Sequence, residues 1–213
     1  MTAASTVDGM HEITTHGELR ELLGTPLPRV AGKVRPVLHD LDKQWLAASP
    51  FCLVATAGAD GTCDVSPKGD PPGFALVLDD ATIAIPERPG NRRADGFHNI
   101  IDNPHVGLIF LLPGRGDTLR INGRAFLVRD ADFFDRMRVK GHRPVLALLV
   151  AIDEVFYHCS KAFLRSALWK PDTWQPSAAA SRPEIAKALE RPDDDMAVLE
   201  RYYGPAYEDT IYG

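Results

Sequence analysis

Long apolar runs are missing from this 213-residue chain. The longest, Val145 to Ile152, is eight residues, against about 20 for a bilayer-spanning helix. Cysteine is scarce: Cys52, Cys63 and Cys159 are odd in number and far apart, which excludes a disulfide framework and a zinc-type spacing. Met1 to Thr15 carries no basic flank and no apolar stretch, so no secretory leader is expected, and a reduced cytoplasmic protein follows as the expectation. Positive charge is in deficit, 24 Lys and Arg against 29 Asp and Glu, for a net charge of -5. That argues against a nucleic-acid surface while leaving room for a local basic pocket. Dinucleotide, Walker, H-E-x-x-H and G-x-S-x-G signatures are all absent, and the seven histidines do not pair at ligand spacing. No catalytic residue and no metal ligand is therefore assigned.

What is present suits one soluble globular core, with 45% hydrophobic and 25% charged residues. Pro and Gly, 17 each, favour many short elements. Thr15 and Glu18 have capping-box spacing ahead of a helix from Gly17 to Leu23, which Gly24 stops. A Pro-rich connector, Pro26 to Pro36, leads to a second helix over Leu41–Ala48 with Asp40 before it. Three predicted hairpins follow: Phe51–Ala57 with Thr62–Ser66, Phe74–Leu78 with Thr82–Ile85, and His105–Leu112 with Thr118–Val128. A helix over Arg93–Asp102 separates the last two, with Phe97, Ile100 and Ile101 on one face. Asp130–Val139 reads as a helix, Val145–Tyr157 as a strand, Lys161–Trp169 as a helix, and Pro183–Tyr203 as one or two helical segments. Successive hairpins imply antiparallel neighbours. Strands apolar on both faces imply a small barrel packed by helices or a second subunit.

Three segments carry chemistry. In Asp64-Val65-Ser66-Pro67-Lys68-Gly69, alternation puts Asp64, Ser66 and Lys68 on one face, where a hydroxyl and an ammonium suit a phosphate or a polar ring edge; a plain hydrophilic strand end is the competing reading. In Arg88-Pro89-Gly90-Asn91-Arg92-Arg93, positive charge stands at a helix N-terminus against the helix dipole, with Asn91 as the expected N-cap. A bound anion explains that charge, and so does a solvated loop. In Thr118 to Arg124, the residues Thr118, Arg120, Asn122 and Arg124 form a polar face, lining a site or facing solvent. Lys161 and Arg165 repel each other four apart on one helix, which an anionic ligand or acidic neighbours would relieve.

Taken in order, Ser66-Pro67-Lys68-Gly69, Arg88 to Arg93, Asn99-Ile100-Ile101-Asp102-Asn103-Pro104-His105-Val106-Gly107-Leu108 and Thr118 to Ala125 resemble the pyridoxamine 5'-phosphate oxidase-like FMN-binding split-barrel flavoproteins. The likeness covers about Ser49 to Trp174. It is greatest to a bacterial subgroup with R-P-G-N-R-R and the ending His158-Cys159-Ser160-Lys161-Ala162. The resemblance implies a mainly β fold, a six-stranded antiparallel split β-barrel with peripheral α-helices, in a domain over 49–174. A helical extension over 1–48 precedes it and a helical tail over 175–213 follows. It also implies a homodimer with FMN at the subunit interface. The cofactor-binding residues it implies are Val65, Ser66, Lys68, Asn91, Arg92, Arg93 and Thr118, with Arg88 added from the basic segment and Arg120, Lys161 and Arg165 from their faces. The chain lacks the Trp and Arg ending of true pyridoxamine phosphate oxidases, so that substrate does not carry over. The expectation is an FMN-dependent oxidoreductase acting on a small molecule. The alternatives are a flavin store without catalysis, or a binder of haem or a deazaflavin.

Overall fold

A computed structural model describes residues 9–212; part of the Met1–Thr15 stretch read for a leader lies outside them. The chain divides into two units, 1–34 and 35–213. The first holds α1 (His16–Leu23) and α2 (Pro28–Ala31). As expected, Thr15 caps α1, its hydroxyl accepting the Glu18 N–H at 3.2 Å, and Gly24 ends the helix at a φ of 71°. The reciprocal half of the box is not made, because the Glu18 carboxylate turns to His11 at 2.6 Å.

The second unit opens with α3 (Asp40–Ala48). Its N-cap is His39 rather than Asp40: the His39 Nδ1 accepts the Leu41 N–H, and Asp42 accepts the His39 N–H at 2.7 Å. Asp42, Trp45 and Leu46, spaced i, i+3, i+4, form its buried face. Burial pushes the Asp42 carboxyl pKa up, but the two-pronged Arg35 guanidinium, the His39 N–H and Tyr157 together hold it below the usual range.

Seven strands follow: β1 (Phe51–Ala57), β2 (Cys63–Gly69), β3 (Leu76–Asp79), β4 (Thr82–Pro86), β5 (His105–Leu111), β6 (Thr118–Val128) and β7 (Ala147–His158). All pair antiparallel in the order β2-β1-β5-β6-β7-β4-β3. This corrects the six-stranded barrel: each of the seven segments with strand character joins the sheet, and the ladder stays open between β2 and β3. The sheet nevertheless curls. Lys68 at the end of β2 pairs with Glu87 just beyond β4, and Arg88 pairs with Asp70. Inward residues of five strands, including Val54, Ile85, Leu108, Ile121 and Val150, share one core. Each such side chain contributes about 1.5–3 kcal/mol by its burial. In β6, Leu119, Ile121 and Ala125 are buried as alternation predicts. A bulge at Gly123 lets the backbones close up: a Cβ there would sit 2.1 Å from the Ala151 carbonyl oxygen. The edge strand β2 carries Pro67 opposite Leu53 at a position that faces away from β1, so the outer border of the sheet lacks one N–H.

Several element expectations change. The helix after β4 is α4 (Asp95–Asp102), and Ile101 on it is exposed while Ile100 is buried. Asp132–Met137 is a 3₁₀ helix, not an α-helix; three residues per turn stacks Phe134 over Met137, both buried. The following helix, α5 (Lys161–Ser166), stops early because Ala167 adopts a φ of 51° and its N–H closes on Leu164 and Phe163. The tail holds α6 (Arg182–Leu189) and α7 (Met196–Tyr202). The second face of β1 and β5 is apolar but only half-buried, at Phe51, Leu53, Ile109 and Leu111. Among the described residues, no helix is long and apolar enough to cross a membrane.

Asp42 supplies the first prediction. Its folded pKa lies below the unfolded value, so its contribution is full above the unfolded pKa, near 4, and fades as pH falls through the folded pKa. Asp42→Ala strips a buried carboxylate from Arg35 and should cost about 3 kcal/mol, at the low end for a broken buried pair. Urea titrations at neutral pH read that loss, and the gap between variant and wild type should narrow below about pH 4.

Candidate functional site

The end of β2, the exit of β4 and the start of α4 converge on one place. Asp64, Ser66 and Lys68 are half-buried on one face of β2, while Val65 points the other way and is 60% exposed. The structure thus separates Val65 from Ser66 and Lys68, as the two-residue strand period demands. The Lys68 ammonium is shared between the Glu87 carboxylate and the Phe97 ring, 4.8 Å below it. Cys52, its cross-strand neighbour, has its thiol pushed up to about 12 by burial, with Lys68 opposing, so it is an inert core residue. Asn99 ties α4 to β1 through the Thr56 hydroxyl at 3.1 Å.

Beyond β4 the three arginines divide. Arg88 is held: its Nε donates to Asp70 at 2.5 Å, and its terminal nitrogens donate to the Met137 and His142 carbonyls at 2.7 and 3.3 Å. Arg92 and Arg93 stand in the exposed loop that follows. Arg93 makes a surface pair with Asp95 at 2.7 Å, of the kind worth little in water. The Arg92 side chain makes no hydrogen bond or ion pair among the described residues. Asn91 is not the N-cap that was expected. It forms a local turn instead, its side-chain oxygen accepting the Arg93 N–H at 3.0 Å. The N-cap is Ala94, left-handed at φ 58° and ψ 23°, and no side chain caps α4. Arg92 is left-handed as well, at φ 61°. An uncapped helix start with two exposed guanidiniums beside it has the chemistry to receive an anion.

The remaining candidates lie apart. Thr118 is buried opposite His158, at the end of the sheet where α5 begins. Arg120 lies 5.0 Å over the Phe156 ring, with its buried Nε unpartnered. The rest of the polar face of β6 is used by β7: Asn122 donates to Glu154 at 2.7 Å, and Arg124 pairs with Asp153. Lys161 and Arg165 are exposed on α5. That segment packs on the β5–β6 turn, where the Trp169 indole donates to the Arg115 carbonyl at 2.7 Å and Ser160 and Phe163 close on Gly116. Among the described residues, no hydrogen bond, ion pair or ring contact joins α5 to the basic loop. Beside this turn an open groove of about 420 Å³ is lined by Trp45, Leu112, Arg115 and Tyr157. Asp70 and Glu87, which fix Arg88 and Lys68, escaped sequence reasoning. Their only signal was opposite charges at Lys68/Asp70 and Glu87/Arg88, and nothing in the local pattern pairs them.

A family model described as "Pyridoxamine 5'-phosphate oxidase" matches residues 38–159. No curated protein matches the chain. Among solved structures, HupZ of Group A Streptococcus is 18% identical with a TM-score of 0.46, over 56% of this chain and 93% of that one. A Clostridium acetobutylicum protein related to general stress protein 26, of the pyridoxinephosphate oxidase family, is 15% identical with a TM-score of 0.43, over 56% and 86%. A structure titled F420 reductase is 18% identical with a TM-score of 0.38, over 55% and 94%.

The left-handed N-cap supplies the second prediction. A Cβ in that region costs about 1–2 kcal/mol, and glycine recovers it less the extra freedom it gives the unfolded chain. Ala94→Gly should therefore stabilise the fold by about 0.5 kcal/mol, read as a small rise in denaturation midpoint with an unchanged slope.

Proposed function

The chain belongs to the pyridoxamine 5'-phosphate oxidase family, and from that membership we propose that it is an FMN-binding flavoprotein: an FMN-dependent oxidoreductase, acting on a small molecule as a homodimer with flavin at the subunit interface. The observation that carries the reading is the pairing of Arg92 and Arg93 with the uncapped start of α4. Their guanidinium forks and the free N–H groups of the first turn match the geometry of a phosphate. Lys68 adds positive charge behind them, though Glu87 already shares it.

The half-buried apolar face of β1 and β5, continued by exposed Val65 on β2, supports the dimer, since contiguous apolar surface of this kind marks an interface. A second copy on that face would bring its own Thr118, Arg120 and α5 toward the basic loop. That reconciles two residue clusters that lie apart in one chain. Bound FMN would supply the hydride chemistry itself. The protein's tasks are then to anchor the phosphate at Arg92 and Arg93, to hold the ring against the sheet face, and to exclude water with the apolar side chains around it. None of these needs a side-chain acid or base, in keeping with the missing catalytic signatures. A cytoplasmic setting belongs to the same proposal.

Mass spectrometry of the ligand released from purified protein tests the cofactor directly: FMN supports the reading, and haem or a deazaflavin rejects it. The third prediction is that replacing both Arg92 and Arg93 by Ala weakens FMN about a hundredfold, because charge-assisted hydrogen bonds are lost, while riboflavin, without the phosphate, binds as before. Equal FMN affinity in the folded double variant rejects this loop. The fourth is a solution mass of twice 23.4 kDa by light scattering; a monomer at micromolar concentration with ligand bound contradicts the interface.

A further inference from the structure

The cluster around Arg88 lies outside the residues assigned to the phosphate, yet it governs where their loop begins. The Asp70 side chain is 1% exposed and both its oxygens are used: Oδ2 accepts Arg88 and Oδ1 accepts the Tyr212 hydroxyl at 2.5 Å, across 142 residues of sequence. All three nitrogens of the Arg88 guanidinium are engaged, since the two terminal ones each donate to a carbonyl, of Met137 and of His142. The Tyr212 ring is enclosed as well. The His142 ring stacks on it at 5.8 Å, the Lys140 ammonium lies 5.5 Å from its centre, and the Arg88 guanidinium lies 5.7 Å away. Tyr212 thus completes the coordination of a buried carboxylate whose other partner is the root of the basic loop, four residues before Arg92.

We propose that Tyr212 is a positioning residue for the loop from Pro89 to Ala94, acting through Asp70 and Arg88; its consequence for ligand binding rests on the reading of that loop as a phosphate cradle. Without the hydroxyl, one buried oxygen of Asp70 has no donor. The Asp70–Arg88 pair then loses the constraint that fixes it. The left-handed residues Arg92 and Ala94 persist only while their surroundings over-determine them, so loosening at Arg88 is felt there first. A tyrosine that merely held its own segment in place would disturb only that segment.

Tyr212→Phe removes the hydroxyl and keeps the ring, and the full-length protein is compared with wild type by hydrogen exchange read by mass spectrometry. The Arg93 amide, hydrogen-bonded to Asn91, and the paired amides of Val139 and His142 should exchange about tenfold faster, with β1, β5 and β6 unchanged. Tyr212→Ala should give the same localisation with a larger amplitude. FMN and riboflavin titrations run in parallel should show FMN weakened about tenfold and riboflavin unaffected. Wild-type exchange rates across 89–94 in folded Tyr212→Phe overturn the proposal. Faster exchange there, in a protein whose wild-type form does not bind FMN, upholds the positioning role and overturns the phosphate reading alone.

Discussion

Two ion pairs at the meeting of β2 and β4 fix the rest of the architecture. The seven strands make a ladder with two free edges, and backbone hydrogen bonds do not close it. Lys68 to Glu87 and Asp70 to Arg88 instead tie the β2 edge by charge to the exit of β4, the strand next to the other edge. A buried pair of this kind is held by geometry rather than by net Coulomb gain, because desolvation offsets much of the attraction. Arg88 meets that condition by directing three nitrogens to three acceptors. The curl that results encloses the core and, in the same stroke, delivers the basic loop and α4 onto β1 and β2.

The strands were legible because their cause is local. Alternating apolar residues and turn dipeptides act within ten residues of each other, and β6 begins and ends where its pattern does, at Thr118 and Val128. The number of strands could also be read from the residues, which mark seven segments; the count of six came from family likeness. Helix geometry was less legible. Whether Asp132–Met137 winds as α or 3₁₀ depends on what Phe134 and Met137 pack against, which lies elsewhere in the sequence. The basic loop was visible as charge set against a helix dipole, but its internal division was not. Arg88 looks like Arg92 in sequence and differs from it because Asp70 and the Met137 and His142 carbonyls stand opposite. Tyr212 gave no local sign at all, since its partner is 142 residues away.

This division of the arginines has a physical logic. A cationic group that is to meet an anion from solution must not be satisfied beforehand, whereas the scaffold that carries it must be. Arg88, at 13% side-chain exposure, is fully engaged, and Arg93, at 75%, has only a surface partner. The boundary between the scaffold and the site proposed for it therefore runs through one six-residue stretch, and the left-handed residues stand on its outer side.

Pro67 has a consequence for how copies of the molecule can meet. A sheet edge grows by accepting another strand, and each accepted strand creates a fresh edge, so such growth has no natural end. On β2 the proline withholds a donor, and at the opposite side β3 is four residues long with a register shift between Val77 and Asp79. Neither border offers a good template for a further strand. The homodimer proposed above would then meet through the sheet face, where a twofold arrangement uses the same patch on both copies and leaves nothing for a third.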